Sequence, residues 1–85
     1  MTDIEFDVLD ELYFVQSFQK LSNSLNIKEL EVKTVLQELL KKGWIKCFYQ
    51  NKDEIVTESE LDFENKYAEY AYLATKEGLL AHNSR

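Results

Sequence analysis

Residues Phe18–Ile45, FQKLSNSLNIKELEVKTVLQELLKKGWI, decide the fold, because apolar residues fall at helical spacing in them twice, with a short break between. Phe18, Leu21 and Leu25 are three and four residues apart, which places them on one face of a short helix over Phe18–Leu25. Ser17, just before it, is a good amino-terminal cap, since its hydroxyl can accept from a backbone N–H that has no partner inside the helix. Asn26, Ile27 and Lys28 interrupt the pattern. It resumes with Val32, Leu36 and Leu39 on a helix from Lys28 or Glu29 to Lys42 and stops at Gly43, which can take the left-handed conformation that ends helices. Lys41 and Lys42 occupy the last turn, where cations suit the negative end of the helix dipole.

Two helices joined by a turn of this length have the outline of a helix-turn-helix. Upstream, the pattern predicts a helix from Asp3 to Phe14 opened by a capping box, with Thr2 as the cap and Glu5 reaching back to it. Its apolar set of Ile4, Phe6, Val8, Leu9, Leu12 and Tyr13 spreads over half the circumference or more, wider than one core-facing stripe. Either a later segment or a partner subunit covers the second flank. A β-leaning step follows at Tyr13–Gln16. Downstream, Trp44–Gln50 is rich in aromatic and β-branched residues and leads into a turn at Asn51–Glu54. Tyr67–Ala74 is a second strand, with Tyr70, Tyr72 and Ala74 on one face and Ala71 and Leu73 on the other. Between the strands, Ile55–Thr57 can extend the hairpin and Ser59–Phe63 can start a helical turn, and both options stay open. Thr75 caps a short helix through Leu79, Leu80 and His82, beyond which Asn83–Arg85 is expected to fray.

The residues of Phe18–Ile45 resemble the helix-turn-helix of bacterial winged-helix transcription regulators. There, a helix of the form x-x-L-x-x-x-L-x-I precedes x-x-x-x-V-x-x-x-L-x-x-L-x-x-x-G-x-I, and Leu21, Leu25, Ile27, Val32, Leu36, Leu39, Gly43 and Ile45 fill those places in register. Tyr72–Leu80, YLATKEGLL, is similar to the strand, Thr-x-x-Gly and leucine ending of the same superfamily, with Leu79 and Leu80 closer to the glycine than the pattern has them. The resemblance implies one α+β domain over residues 1–85: a small winged helix-turn-helix with a three-helix core, a helix-turn-helix over 17–43, a β-hairpin wing over 44–74 and a short carboxy-terminal helix. It also implies sequence-specific DNA binding, with the helix over 28–42 reading the major groove.

The charge bears on that expectation. The chain of 85 residues carries a formal net charge of −6, whereas nucleic-acid binders usually present a basic surface. The charge is unevenly placed. Residues 1–16 hold Asp3, Glu5, Asp7, Asp10 and Glu11 and no basic residue. Residues 17–46 hold Lys20, Lys28, Lys33, Lys41, Lys42 and Lys46 against Glu29, Glu31 and Glu38. Residues 47–66 are acidic again, with Asp53, Glu54, Glu58, Glu60, Asp62 and Glu64 against Lys52 and Lys66. The basic part coincides with the helix-turn-helix.

With Val32, Leu36, Leu39 and Gly43 turned inward, rotation by about 100° per residue turns Leu30, Lys33, Thr34, Gln37 and Lys41 outward. Against DNA, Lys33 and Lys41 suit phosphate or guanine, Gln37 suits adenine, Thr34 suits either, and Leu30 suits a thymine methyl. Ser17, Lys20 and Lys28, near the amino ends of the two helices, suit phosphates, and Lys46 adds one more such contact. The plainer alternative is a solvated face on which Glu38 and Lys42 form an i, i+4 pair. No arginine precedes Arg85, the wing is acidic, and exposed Leu30 fits a protein interface. The competing function is therefore a winged helix that binds a basic protein partner through its acidic wing and exposed apolar residues, and a weaker one is an acidic mimic of DNA. For DNA, a homodimer on two half-sites is expected, with the first helix, Phe63, Tyr67 and Tyr70 as interface candidates that equally well close the core.

No catalytic or cofactor signature is present, so neither an enzyme nor a cofactor is expected. Cys47 is expected to be a small buried hydrophobe. His82 has no partner at ligand spacing along the chain, and the wing carboxylates lack the spacing of a calcium loop. The single cysteine, the acidic start and the lack of a long apolar run point to a cytoplasmic protein without membrane contact.

Overall fold

The capping box at the start of the chain forms as expected: Glu5 N–H donates to Thr2 Oγ1 at 3.2 Å, and Thr2 N–H donates to Glu5 Oε1 at 2.9 Å. It opens helix α1, Asp3–Glu11, in a computed structural model that describes residues 1–85. The helix ends before the expected Phe14. Its backbone leaves the helical path at Leu12, whose carbonyl accepts from Ala74 N–H at 2.9 Å. Tyr13, Phe14 and Val15 are left on the surface.

The β-leaning step expected at Tyr13–Gln16 becomes a strand only at its end, where Gln16–Ser17 forms β1. Ser17 ends it and caps α2, Phe18–Leu25, by accepting from Lys20 N–H at 3.2 Å. Asn26 takes the left-handed conformation (φ 53°) and closes α2. Helix α3, Glu29–Lys41, buries Val32, Val35, Leu36 and Leu39, and Gly43 follows in the expected left-handed conformation (φ +73°). Strand β2, Ile45–Tyr49, comes next.

The chain from 50 to 69 uses both options left open by its sequence. Val56 N–H donates to Cys47 O and Tyr49 N–H to Glu54 O, with Ile55 bridged to Phe48, so the chain doubles back along β2. A helical turn, α4, does form, but at Phe63–Lys66. The second strand is shorter than expected. Tyr67–Glu69 is a 3₁₀ turn and β3 spans only Tyr70–Ala74. Tyr67 is held on the helical side, because its ring packs edge-on against Phe18 at 5.1 Å and its carbonyl accepts from Tyr72 Oη at 2.7 Å.

The sheet is antiparallel with order β1-β3-β2, and Tyr72 of the central strand pairs with Gln16 on one side and Cys47 on the other. The result is an α+β fold of five helices and three strands around one apolar core, in which Val8, Leu9, Phe18, Leu21, Leu36 and Tyr72 are fully buried. Phe63 and Tyr70 belong to that core and Tyr67 packs against it, so these aromatics help to close the core of the single chain.

Helix α5, Lys76–Asn83, covers the second flank of α1. Phe6 stacks on His82 with centroids 4.1 Å apart, and Tyr13 Oη lies 3.0 Å from His82 Nδ1. The tail does not fray as expected. Arg85 lies over the Phe6 ring at 4.8 Å and forms an ion pair with Asp3, which ties the two chain ends together. The amino end of α5 docks where α3 passes into β2. Thr75 N–H donates to Trp44 O at 2.9 Å, Thr75 Oγ1 donates to Gly43 O at 2.7 Å, and Gly78 N–H donates to Thr75 Oγ1 at 3.1 Å.

Candidate nucleic-acid interface

The outward side of α3 follows from which of its residues the core takes. With Val32, Val35, Leu36 and Leu39 inside, Leu30 stands 69% exposed and Thr34 and Lys41 are also exposed, while Gln37 is half-buried. The polar groups here differ in how free they are. Thr34 Oγ1 donates to Leu30 O at 2.9 Å, a bond within its own helix turn that any outside ligand would have to share or displace. Lys41 Nζ is 3.8 Å from Glu38 Oε2, a surface pair that long side chains exchange readily for solvent.

Lys33 is far less open to solvent than its position on the helix suggests. Its ammonium lies 2.6 Å from Glu64 Oε1 and 4.9 Å above the Tyr67 ring, and only 19% of the side chain is exposed. The hydrogen bond to Glu64 raises the lysine above its ordinary pKa; partial desolvation opposes this, and the charges of Glu64 and Tyr67 add to it. The residue expected to be a leading DNA contact is thus neutralised by the acidic connection between β2 and β3.

Glu64 is held in place by packing. Phe63 beside it is buried, Asp62 N–H donates to Tyr70 Oη at 3.0 Å, and Asn65 Nδ2 donates to the Asp62 carboxylate at 3.1 Å. The acids of this segment therefore include one fixed against α3. Neither Glu64 nor Tyr67 was singled out along the chain as a partner of Lys33, since no local pattern marks a pair 31 residues apart.

Of the other candidates, Lys20 and Lys28 are exposed and pair with no carboxylate. Ser17 Oγ already accepts from its own helix, although its donor hydrogen remains available. Lys46 alternates with buried Ile45 and Cys47 along β2 and so belongs to the sheet face turned from the core, 5.8 Å above the Phe48 ring; it does not join the outward arc of α3. The expected Glu38–Lys42 pair is replaced. Lys42 Nζ instead reaches Glu5 Oε2 at 2.8 Å, binding the end of α3 to the start of α1. Burial raises the Glu5 carboxyl, but the bonds from Lys42 and Thr2 and the lysine charge outweigh it, leaving the group below its ordinary pKa.

A shallow depression lies between α1 and α3, lined by Ile4, Leu30, Glu31, Thr34 and Val35. Cys47 is buried, and burial pushes its thiol up to about 12. His82 gains the carboxylate neighbour that its sequence position lacked, with Asp10 Oδ1 3.3 Å from Nε2, but its ring is stacked on Phe6 and packs α5 onto α1. No helix is long and apolar enough to cross a membrane. Comparison with protein-family models, with curated proteins and with solved structures finds no match to this chain.

Proposed function

We propose that the chain is a winged helix-turn-helix domain that binds duplex DNA through α2 and α3 and acts in the cytoplasm as a transcription regulator, not as an enzyme. The strand order β1-β3-β2 behind three helices, and a long connection between β2 and β3 in the place of a wing, support the fold reading. The observation that carries the function is that Lys20 and Lys28, at the start of α2 and immediately before α3, are exposed and free of carboxylate partners. With Lys41 they supply three cations for phosphates, and Gln37, Thr34 and Leu30 lie between them for base edges. Three phosphate contacts make weak binding. Two copies on adjoining half-sites convert it into useful affinity, because the second contact becomes intramolecular once the first is made.

The test is the triple variant Lys20→Ala, Lys28→Ala, Lys41→Ala, compared with the parent chain in a gel shift on mixed-sequence duplex at about 50 mM salt, where the phosphate term is strong. The parent shifts the duplex and the variant does not. A variant that shifts as well as the parent removes these lysines from the interface. Exposed Leu30 beside Ile4, Val35 and Glu31 favours a second reading, a basic protein segment lying in that depression. Under that reading Leu30→Asp abolishes partner binding and the triple lysine variant leaves it intact.

A further inference from the structure

We propose that the Lys33–Glu64 contact is a built-in restraint on DNA binding, in which the packed acidic segment between β2 and β3 holds one lysine of α3 out of use and places a carboxylate beside the reading face. The inference rests on the DNA reading of α3 given above.

Three observations support it. The pair is close, at 2.6 Å, and the lysine half of it is largely covered, since Tyr67 lies under the ammonium at 4.9 Å. The acidic partner is 67% exposed, so its negative charge faces the solvent that a phosphate backbone would have to enter. Glu64 also cannot simply swing away with a loose loop, because buried Phe63 and the Asp62–Tyr70 hydrogen bond fix the chain before it and Tyr67's packing against Phe18 fixes the chain after it. At 2.6 Å the two charges largely cancel, so the contact takes Lys33 out of the set of cations open to a phosphate. Neutralising Glu64 frees Lys33 and adds a phosphate contact.

The experiment measures binding of a fluorescent mixed-sequence duplex by anisotropy, at about 50 and 200 mM salt, for the parent chain, Glu64→Gln and Glu64→Lys. Glu77→Gln, an exposed carboxylate on α5 without an ion-pair partner, is the charge-matched control. One added phosphate contact steepens the plot of log affinity against log salt by about 0.9 and tightens binding about tenfold at 50 mM. Glu64→Gln is expected to show both changes, Glu64→Lys at least as much, and Glu77→Gln little. On a Lys33→Ala background Glu64→Gln frees no phosphate contact, so the slope change of about 0.9 should vanish, which isolates the pair from general charge.

The restraint is overturned if Glu64→Gln binds like the parent, gains no more than Glu77→Gln, or keeps its full gain without Lys33. Binding by the parent alongside any of these results leaves the DNA reading standing. If no form binds duplex even at 50 mM salt, the DNA reading fails and the restraint fails with it. Glu64 is on the surface, so the fold of each variant, checked by circular dichroism, should match the parent.

Discussion

Replacing Gly78 with alanine sets two physical effects of opposite sign against each other. Within a helix, alanine is more favourable than glycine by about 0.5–1 kcal/mol, so propensity alone has Gly78→Ala stabilising α5. The tertiary packing says the reverse. A Cβ at Gly78 would lie deep inside the van der Waals radius of the Trp44 carbonyl oxygen, 2.9 Å from its carbonyl carbon and 3.2 Å from its Cα. All three are backbone atoms, and the oxygen is already held by Thr75 N–H at 2.9 Å, so no side-chain rotation relieves the clash. Restoring ordinary contact distances requires α5 to lift by about 1 Å, which costs about 1–3 kcal/mol as overpacking. The lift also weakens the Thr75 bonds to Trp44 and Gly43, at about 1 kcal/mol for a typical bond. After the propensity gain, the net loss is about 1–3.5 kcal/mol, or a fall in Tm of about 5–25 °C for a domain of this size. Thermal unfolding followed by far-ultraviolet circular dichroism measures it, and the fluorescence of Trp44, the single tryptophan, reports the same junction. Gly43→Ala is the comparison: its φ of +73° costs a side chain about 1–2 kcal/mol, but nothing lies within 4 Å of its added Cβ. A Gly78→Ala chain as stable as the parent, or more so, would refute the docking of α5 on Trp44.

Two further predictions concern buried ionisable groups. Glu5 titrates below its ordinary value in the folded chain, so its ion pair with Lys42 stabilises the fold fully above about pH 4.5, and that stabilisation is lost as pH falls through the lower folded value. The Tm gap between the parent and Glu5→Gln should therefore be wide at neutral pH and narrow on acidification; a constant gap contradicts the pairing. Cys47, with its thiol raised to about 12 by burial, should resist a thiol reagent at pH 8 in the native chain and react promptly in denaturant. Prompt labelling without denaturant would place the thiol outside the core.

Much of the helical framework was legible along the chain because its signals are local. Leu21 and Leu25, then Val32, Leu36 and Leu39, set two helix faces within a few residues of each other, and Gly43 marks where the second stops. The caps Thr2, Ser17 and Thr75 act within three residues and all form. What escaped depends on distant partners. Gln16–Ser17 is a strand only because Tyr72 and Ala71 lie alongside, and two residues carry no periodicity of their own. Tyr67–Glu69 alternates like a strand, yet the Phe18 ring and the Tyr72 hydroxyl hold it in a turn. The tail looked free because Asp3 and Phe6, which anchor Arg85, lie at the other end of the chain.

The same division runs through the candidate site. Helical rotation placed Leu30, Thr34 and Lys41 outward, as they are found. It placed Lys33 outward too, and could not register that Glu64 and Tyr67 fold over it. Summing charge by segment treated the β2–β3 connection as separate from α3, whereas packing of Phe63 and Tyr67 brings one of its acids into direct contact. The acidic balance of the chain therefore acts at a specific lysine.

The central functional claim, that α2 and α3 meet the phosphate backbone through Lys20, Lys28 and Lys41, is tested most directly by the salt dependence of duplex binding by the unmodified chain. Three phosphate contacts correspond to a slope of about −2.7 in log affinity against log salt for each copy bound, so the affinity of a single copy for mixed-sequence duplex should fall about 40-fold between 50 and 200 mM. A slope near that value supports the account. Absence of binding at 50 mM, or binding that does not weaken with salt, would contradict it.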